Sequence, residues 1–179
     1  RLLITYIVEQ EGKESQFNKN SLVRVPIRLG QDSFTVGEIS EENIDRMIDA
    51  MKAFRLLMKV HKVEKYKALA TSAMREAYNG KEVVEIIKEK SGIDIEIIDG
   101  KKEAIIIAST DLNHMLKSDK TYLYVDVGGG STEFSLFDNG KIVVSKSFKA
   151  GTVRFLNKMV CDVVWEEMEK WIKTNTKEY

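Results

Sequence analysis

Cysteine, proline and net charge are all scarce in this chain of 179 residues. The single cysteine, Cys161, excludes an internal disulfide framework and is typical of a reducing compartment, so we expect a cytoplasmic protein. Because 28 basic and 28 acidic side chains cancel, no overall charge favours nucleic acid or an anionic membrane as a partner. No apolar run is long enough to cross a bilayer. The composition is that of a globular protein with one large domain or two small ones.

The most distinctive stretch is YLYVDVGGGSTE at residues 122–133. It begins with β-branched and aromatic residues, which are typical of a central strand. Three glycines follow, which allow positive φ and a close approach to a ligand, and successive backbone N–H groups in such a turn form an anion-binding concavity. Two hydroxyls add donors, and a carboxylate stands on each side. The turn consists of Gly128, Gly129, Gly130, Ser131 and Thr132, between Asp126 and Glu133.

This arrangement is typical of a phosphate cradle. Bare carboxylates would repel a phosphate, so a cradle flanked by Asp126 and Glu133 usually needs a divalent cation. The alternative is a flexible glycine linker or a plain hairpin turn, although turn chemistry alone does not require three glycines between two carboxylates.

Apolar periodicity predicts strands and helices that alternate along the chain, which is typical of a layered α/β fold. Ser40 is a good helix N-cap, Pro26 favours an edge position for its strand, and Asn139-Gly140 is a strong hairpin signal. Residues 10–20 are polar and are expected to form a loop. The expected strands span residues 2–8, 22–29, 67–70, 93–98, 122–127, 132–138 and 141–149, and the expected helices span residues 41–61, 72–79, 81–90, 103–116 and 165–177.

Three polar segments follow predicted strands, at residues 71–76, 100–103 and 126–133. Ligands in α/β folds bind at the carboxyl ends of strands. We therefore expect these segments to form one site.

Four segments together resemble the exopolyphosphatase/guanosine pentaphosphate phosphohydrolase family. They are RVPIRLG at 24–30, ATSAMREAYN at 70–79, IEIIDGKKEA at 95–104 and VDVGGGSTE at 125–133. The last is similar to the second phosphate loop of the family almost letter for letter. The four occur in the family's order and cover nearly the whole chain.

The resemblance implies an actin-like α/β fold, in which two ribonuclease-H-like lobes enclose a cleft. Residues 1–119 would then belong to the first lobe and residues 120–179 to the beginning of the second. The family's first strand and first phosphate loop have no counterpart here, and its second lobe continues further than Tyr179. The chain is therefore expected to be a fragment of the two lobes, or only their ordered residues. A chain truly lacking the first loop is expected to be catalytically poor.

The resemblance also implies a Mg²⁺-dependent phosphohydrolase that removes terminal phosphate from inorganic polyphosphate or guanosine pentaphosphate, commonly as a homodimer. Glu103 matches the glutamate that activates the attacking water, and Arg75 matches an arginine that faces the phosphates. Asp126 and Glu133 match acidic residues that hold metal or position water, with Glu133 also a catalytic candidate. Residues 128–131 match the phosphate cradle.

Two neighbours of Glu103 depart from the family pattern. Lys101 and Lys102 stand where the family usually has acidic or neutral residues, and their charges are expected to lower the pKa of Glu103. Two other functions stay open: a sensor that binds a phosphorylated ligand without turnover, and an actin-like ATPase or sugar kinase, which would need an adenosine pocket.

Overall fold

The computed structural model describes residues 1–9, 11–12, 15–107 and 120–178, which form a mixed α/β structure. This confirms the α/β class. The strands are β1 (Leu2–Val8), β2 (Gln16–Val23), β3 (Ala68–Ala70), β4 (Ile95–Ile97), β5 (Tyr122–Val127), β6 (Thr132–Asp138) and β7 (Lys141–Phe148). The helices are α1 (Leu29–Thr35), α2 (Glu41–Val60), α3 (Ser72–Glu76), α4 (Gly80–Ser91), α5 (Gly100–Ile107), α6 (Thr152–Leu156) and α7 (Asp162–Asn175).

The chain divides into two compact units. Unit 1 contains Arg1–Arg28, Ser40–Ala68 and Glu82–Ile95, and unit 2 contains the described residues of Leu29–Ile39, Leu69–Lys81 and Glu96–Tyr179. The division passes through β3 and β4, which pair as a two-stranded sheet. The predicted helix at 103–116 is observed as far as residue 107, and its remainder lies outside the described residues. The predicted boundary between residues 119 and 120 falls at the edge of the same range, because residue 119 is not described.

Unit 1 combines the antiparallel hairpin β1–β2 with helices α2 and most of α4. The hydroxyl of Ser40 accepts a hydrogen bond from the backbone N–H of Asn43, so α2 begins at the predicted cap. Arg55 of α2 donates to the carbonyl of Ser91 at the end of α4. Gly92 has φ +73°, a conformation that other residues adopt at a cost. Its N–H donates to the carbonyl of Lys88, which ends helix α4.

Unit 2 is built on the antiparallel sheet β5–β6–β7, with β6 in the middle. Residues Thr132–Phe137 of β6 are all buried. Helix α7 packs on this sheet, and the ring centroids of Phe134 and Trp171 are 5.8 Å apart. The turn between β6 and β7 has φ +50° at Asn139 and +73° at Gly140, as the hairpin signal predicted.

Three predictions of local structure are wrong. The second strand covers Gln16–Val23 instead of residues 22–29, because polar residues 16–20, expected to be a loop, pair with β1. Residues 24–28, predicted to continue this strand, do not: Pro26 has no N–H to donate to a neighbouring strand, and helix α1 begins at Leu29. Finally, β5 is an edge strand of the described sheet, although its composition is typical of a central strand. Within the described chain, no helix is long and apolar enough to span a membrane.

Candidate active site

Glu103 lies in the first turn of α5, and its side chain is 20% exposed. Its Oε2 atom is 3.8 Å from Nη1 of Arg75. That oxygen is buried and has no hydrogen-bond partner among the described residues. A buried carboxylate oxygen that lacks a donor is costly, and such an atom is a candidate for a ligand, water or cation contact.

The pKa of Glu103 is raised from its ordinary value. Burial is the largest cause, and the negative charge of Glu133 adds to it. Arg75 and a hydrogen bond from Thr71 oppose the increase, and Asp126 adds to it more weakly. The balance favours a carboxyl group that accepts a proton more readily than an exposed glutamate does.

Lys101 and Lys102 were expected to lower the pKa of Glu103, but this pKa is raised instead. Lys102 forms an ion pair with Glu96, and its backbone N–H donates to Oδ1 of Asp99, 2.7 Å away. Neither lysine is among the groups that shift the pKa of Glu103. Burial and the charges of residues distant in sequence outweigh the charges of its immediate neighbours.

Arg75 belongs to the short helix α3. Its Nη1 also donates to the carbonyl of Ile98, at the end of β4, so the guanidinium joins the segments after β3 and β4. Thr71 occupies the N-cap position of α3, but its side chain makes no capping bond and interacts with Glu103 instead. The predicted segments 71–76 and 100–103 are thus in contact.

Glu133 is 4% exposed and lies on β6, opposite Asp126 in the register of the sheet. Its Oε1 atom accepts two hydrogen bonds, from the hydroxyl of Ser131 at 2.6 Å and from that of Ser147 at 2.7 Å. Two donors to one oxygen hold the carboxylate in place. Ser147 lies on β7, fourteen residues further along the chain, and carries no recognisable sequence signal.

Of the three glycines of the turn, Gly130 serves close packing, whereas a Cβ on Gly128 or Gly129 would lie no closer than 3.3 Å to a neighbouring atom. None of Gly128, Gly129 and Gly130 has positive φ, so that part of the sequence interpretation is wrong. A Cβ on Gly130 would lie 2.7 Å from Cε2 of Phe34. A Cβ on Gly151 would lie 2.5 Å from the nitrogen of Gly130 and closer still to the carbonyl of Gly129. Side chains are therefore excluded at position 130 of the turn and at Gly151, which lies against it.

The two hydroxyls that follow the glycines bond inside the protein. Ser131 donates to Glu133, and Thr132 donates to the carbonyl of Ala150, and both side chains are buried. By contrast, the N–H of Gly129, which is exposed, makes no hydrogen bond to a described residue. The donors that the turn offers to an anion are backbone N–H groups rather than hydroxyls.

Sequence reasoning missed Arg154 of α6. This arginine is 9% exposed, donates from Nε to the carbonyl of Gly130 at 2.8 Å and forms an ion pair with Glu76. Its guanidinium carbon lies 4.3 Å from the ring centroid of Phe34. The only available signal was its place after Gly151 in the segment that follows the hairpin.

Among the described residues, no group of three or more His, Cys, Asp or Glu side chains is arranged to hold a metal ion. Mg²⁺ commonly uses one or two carboxylates, with water and substrate phosphates as its other ligands. Glu103, Glu133 and Asp126 interact closely enough for their charges to shift a pKa, and one buried oxygen of Glu103 lacks a donor. These residues fit a cation held by one or two protein ligands.

The model of the Ppx/GppA phosphatase family matches residues 9–176. The chain therefore belongs to this family. The family resemblance found in the four sequence segments is confirmed.

Individual relatives agree with this assignment. A bifunctional 3-dehydroquinate synthase/phosphatase of Fusobacterium nucleatum is 31% identical over 190 residues, covering 99% of this chain and 28% of that protein. A guanosine-5'-triphosphate,3'-diphosphate pyrophosphatase of Photobacterium profundum is 29% identical over 140 residues, covering 78% of this chain and 28% of that protein. The crystal structure of an exopolyphosphatase from Cytophaga hutchinsonii has a TM-score of 0.76 at 28% identity, covering 96% of this chain and 55% of that one. The chain thus spans little more than a quarter of these curated relatives and about half of the solved structure.

Proposed function

We propose that this chain carries the catalytic glutamate of a Mg²⁺-dependent phosphohydrolase acting on phosphoanhydride bonds. The observation that carries the proposal is Glu103, a largely buried carboxylate with a raised pKa that lies beside Arg75 and interacts with Glu133 and Asp126, the carboxylates on either side of the glycine turn. A general base works best when its pKa approaches the working pH, and burial moves Glu103 in that direction. The family assignment supports the same chemistry.

In the proposed reaction Glu103 accepts a proton from a water molecule. The oxygen of that water forms a bond to the terminal phosphorus as the bond from phosphorus to the bridging oxygen breaks in line with it. The shortened chain leaves with the bonding electron pair, and the proton on Glu103 passes to it or to solvent, which restores the base. Each turnover therefore consumes one water and releases one inorganic phosphate.

The other residues position the substrate and neutralise its charge. The guanidinium of Arg75 lies beside Glu103 and faces the position proposed for the terminal phosphate. The backbone N–H groups of Gly129, Gly130 and Ser131 bind phosphate oxygens, and the hydroxyl of Ser131 holds Glu133. In this proposal Thr132 does not bind phosphate but holds the turn in place, because its hydroxyl donates to the carbonyl of Ala150.

Asp126 and Glu133 are the proposed protein ligands of Mg²⁺, directly or through water. The cation, when bound, neutralises phosphate charge and polarises the bond to the bridging oxygen. The pKa of Glu103 is raised by burial first and by the charge of Glu133 second, and a bound cation would offset the second of these.

Inorganic polyphosphate is the proposed first substrate, and guanosine pentaphosphate is the alternative. Relatives include an exopolyphosphatase 2 of Mycobacterium tuberculosis and the guanosine-5'-triphosphate,3'-diphosphate pyrophosphatase, so their names support both. We further propose a cytoplasmic homodimer with an actin-like arrangement, in which residues 1–119 belong to the first lobe and residues 120–179 to the second.

The test is phosphate release by the full-length protein from long-chain polyphosphate, guanosine pentaphosphate and ATP, with and without Mg²⁺. Magnesium-dependent release from either of the first two supports the proposal and selects the substrate. Release from ATP alone would instead indicate an ATPase or kinase.

The Glu103→Gln variant separates catalysis from binding. We expect it to lose about 10²–10⁴-fold in kcat, the usual contribution of a general base, and to keep its affinity for substrate. The control is Glu169→Gln, whose carboxylate is exposed on α7 and should leave turnover unchanged. Unaltered turnover in Glu103→Gln would contradict the assignment of the base, and binding without release in the wild type would indicate a sensor.

A further inference from the structure

Three consecutive carbonyl groups of the glycine turn accept hydrogen bonds from one short segment. The N–H groups of Thr152 and Val153 donate to the carbonyls of Gly128 and Gly129, each at 2.9 Å. The Nε of Arg154 donates to the carbonyl of Gly130 at 2.8 Å. The last of these bonds is made by a side chain, and the hydroxyl of Thr152 also donates to the carbonyl of Gly128, at 3.4 Å.

This pattern sets the direction of the backbone donors. In a trans peptide the C=O of one residue and the N–H of the next point in opposite directions. When the carbonyls of residues 128–130 all face helix α6, the N–H groups of Gly129, Gly130 and Ser131 face away from it. A set of N–H groups on one side of a turn is the geometry that binds an anion.

Arg154 is itself held on three sides. It is 9% exposed, its Nη2 pairs with Glu76 of α3, and its planar face lies against the ring of Phe34 from α1. The same ring packs on Gly130 so closely that no Cβ would fit there. Glu76 also lies 3.5 Å from Nζ of Lys149, an exposed side chain. The guanidinium thus connects the turn with two other helices of unit 2.

We propose that Arg154 is a positioning residue that fixes the orientation of the phosphate-binding N–H groups, with Glu76 as its counter-ion. It acts through the carbonyl of Gly130 and does not itself touch the phosphate. This inference rests on the proposed function of the turn and extends it to a residue of α6.

The test compares Arg154→Lys with Arg154→Met in the full-length protein. Lysine keeps the positive charge beside Glu76 but lacks the planar fork that serves Gly130, Glu76 and Phe34 together. If charge alone mattered, lysine would restore activity. We expect both variants to lose about 10²-fold in kcat/KM, because a displacement of about 1 Å at a reacting centre has that effect.

Two further readouts apply to the turn itself. Hydrogen–deuterium exchange should become faster at residues 128–131 in both variants, and calorimetric affinity for inorganic tripolyphosphate should fall. The matched control is Arg46→Met. Arg46 donates to the carbonyls of Pro26 and Ile27 and to Asn43, all in unit 1, so it should lose stability without altering exchange at 128–131.

Unchanged exchange at 128–131 in both variants would overturn the inference, as would full rescue of kcat/KM by lysine. A wild-type protein that releases no phosphate would overturn the proposed function instead. In that case exchange and tripolyphosphate affinity still decide whether Arg154 orients the turn.

Discussion

Gly151→Ala should displace the glycine turn by a measurable distance. The new Cβ would lie 2.5 Å from the nitrogen of Gly130, whereas ordinary contacts begin at 3.4 Å. The obstructing atoms are backbone atoms, so no side chain can rotate away. The two segments must therefore separate by about 1 Å, and overpacking of this kind typically costs about 1–3 kcal/mol of folding free energy.

A shift of that size should reduce activity as well as stability. We expect kcat/KM for phosphate release to fall about 10²-fold, because the donors of the turn would no longer match the substrate. Urea unfolding measures the loss of stability, and phosphate release at substrate saturation and at low substrate separates kcat from KM.

Gly140→Ala provides the matched control. Gly140 has φ +73° and open space around its Cβ position, so alanine costs about 1–2 kcal/mol through backbone strain alone. It should leave kcat/KM of the folded protein unchanged. If Gly151→Ala retained wild-type kcat/KM at a similar loss of stability, the requirement for an accurately placed turn would be refuted.

Three other predictions concern charge. Glu103 has a folded-state pKa above its unfolded value, so its contribution to stability is present below pH 4.5 and is lost as the pH rises through the folded pKa. Glu103→Gln should therefore raise the melting temperature at pH 7 but not at pH 4. The control Glu169→Gln should not raise it at pH 7, because Lys173 lowers the pKa of Glu169 and the substitution removes this ion pair. An equal effect of Glu103→Gln at both pH values would contradict the burial argument. Ser147→Ala should cost about 1.5–3 kcal/mol in urea unfolding, because it removes one of two donors to the buried carboxylate of Glu133, and a loss below 0.5 kcal/mol, roughly the scale of a surface change, would argue against that bond. Removal of Mg²⁺ with EDTA should abolish phosphate release but barely change the melting temperature, since one or two carboxylates bind Mg²⁺ weakly in the absence of substrate; a large shift would indicate a preformed metal site.

Local sequence signals predicted much of the fold. The cap at Ser40, the hairpin at Asn139-Gly140 and the end of a helix at Gly92 all appear where the sequence placed them. Each depends on the conformational preferences of a few adjacent residues, so no distant contact was needed. The strand at Gln16–Val23 was missed because its backbone pairs with β1 despite its polar side chains.

The sequence by itself determined the residue types of the site and the order of the segments that carry them. The glycine turn, the glutamate of α5 and the arginine of α3 could all be recognised from motifs, as could the family. Only the tertiary structure decided the environment of Glu103, whose pKa depends on burial and on Glu133, thirty positions away along the chain. It also decided that Gly130 and Gly151 serve close packing and that Arg154 holds the turn, because these depend on contacts between segments that no local pattern encodes.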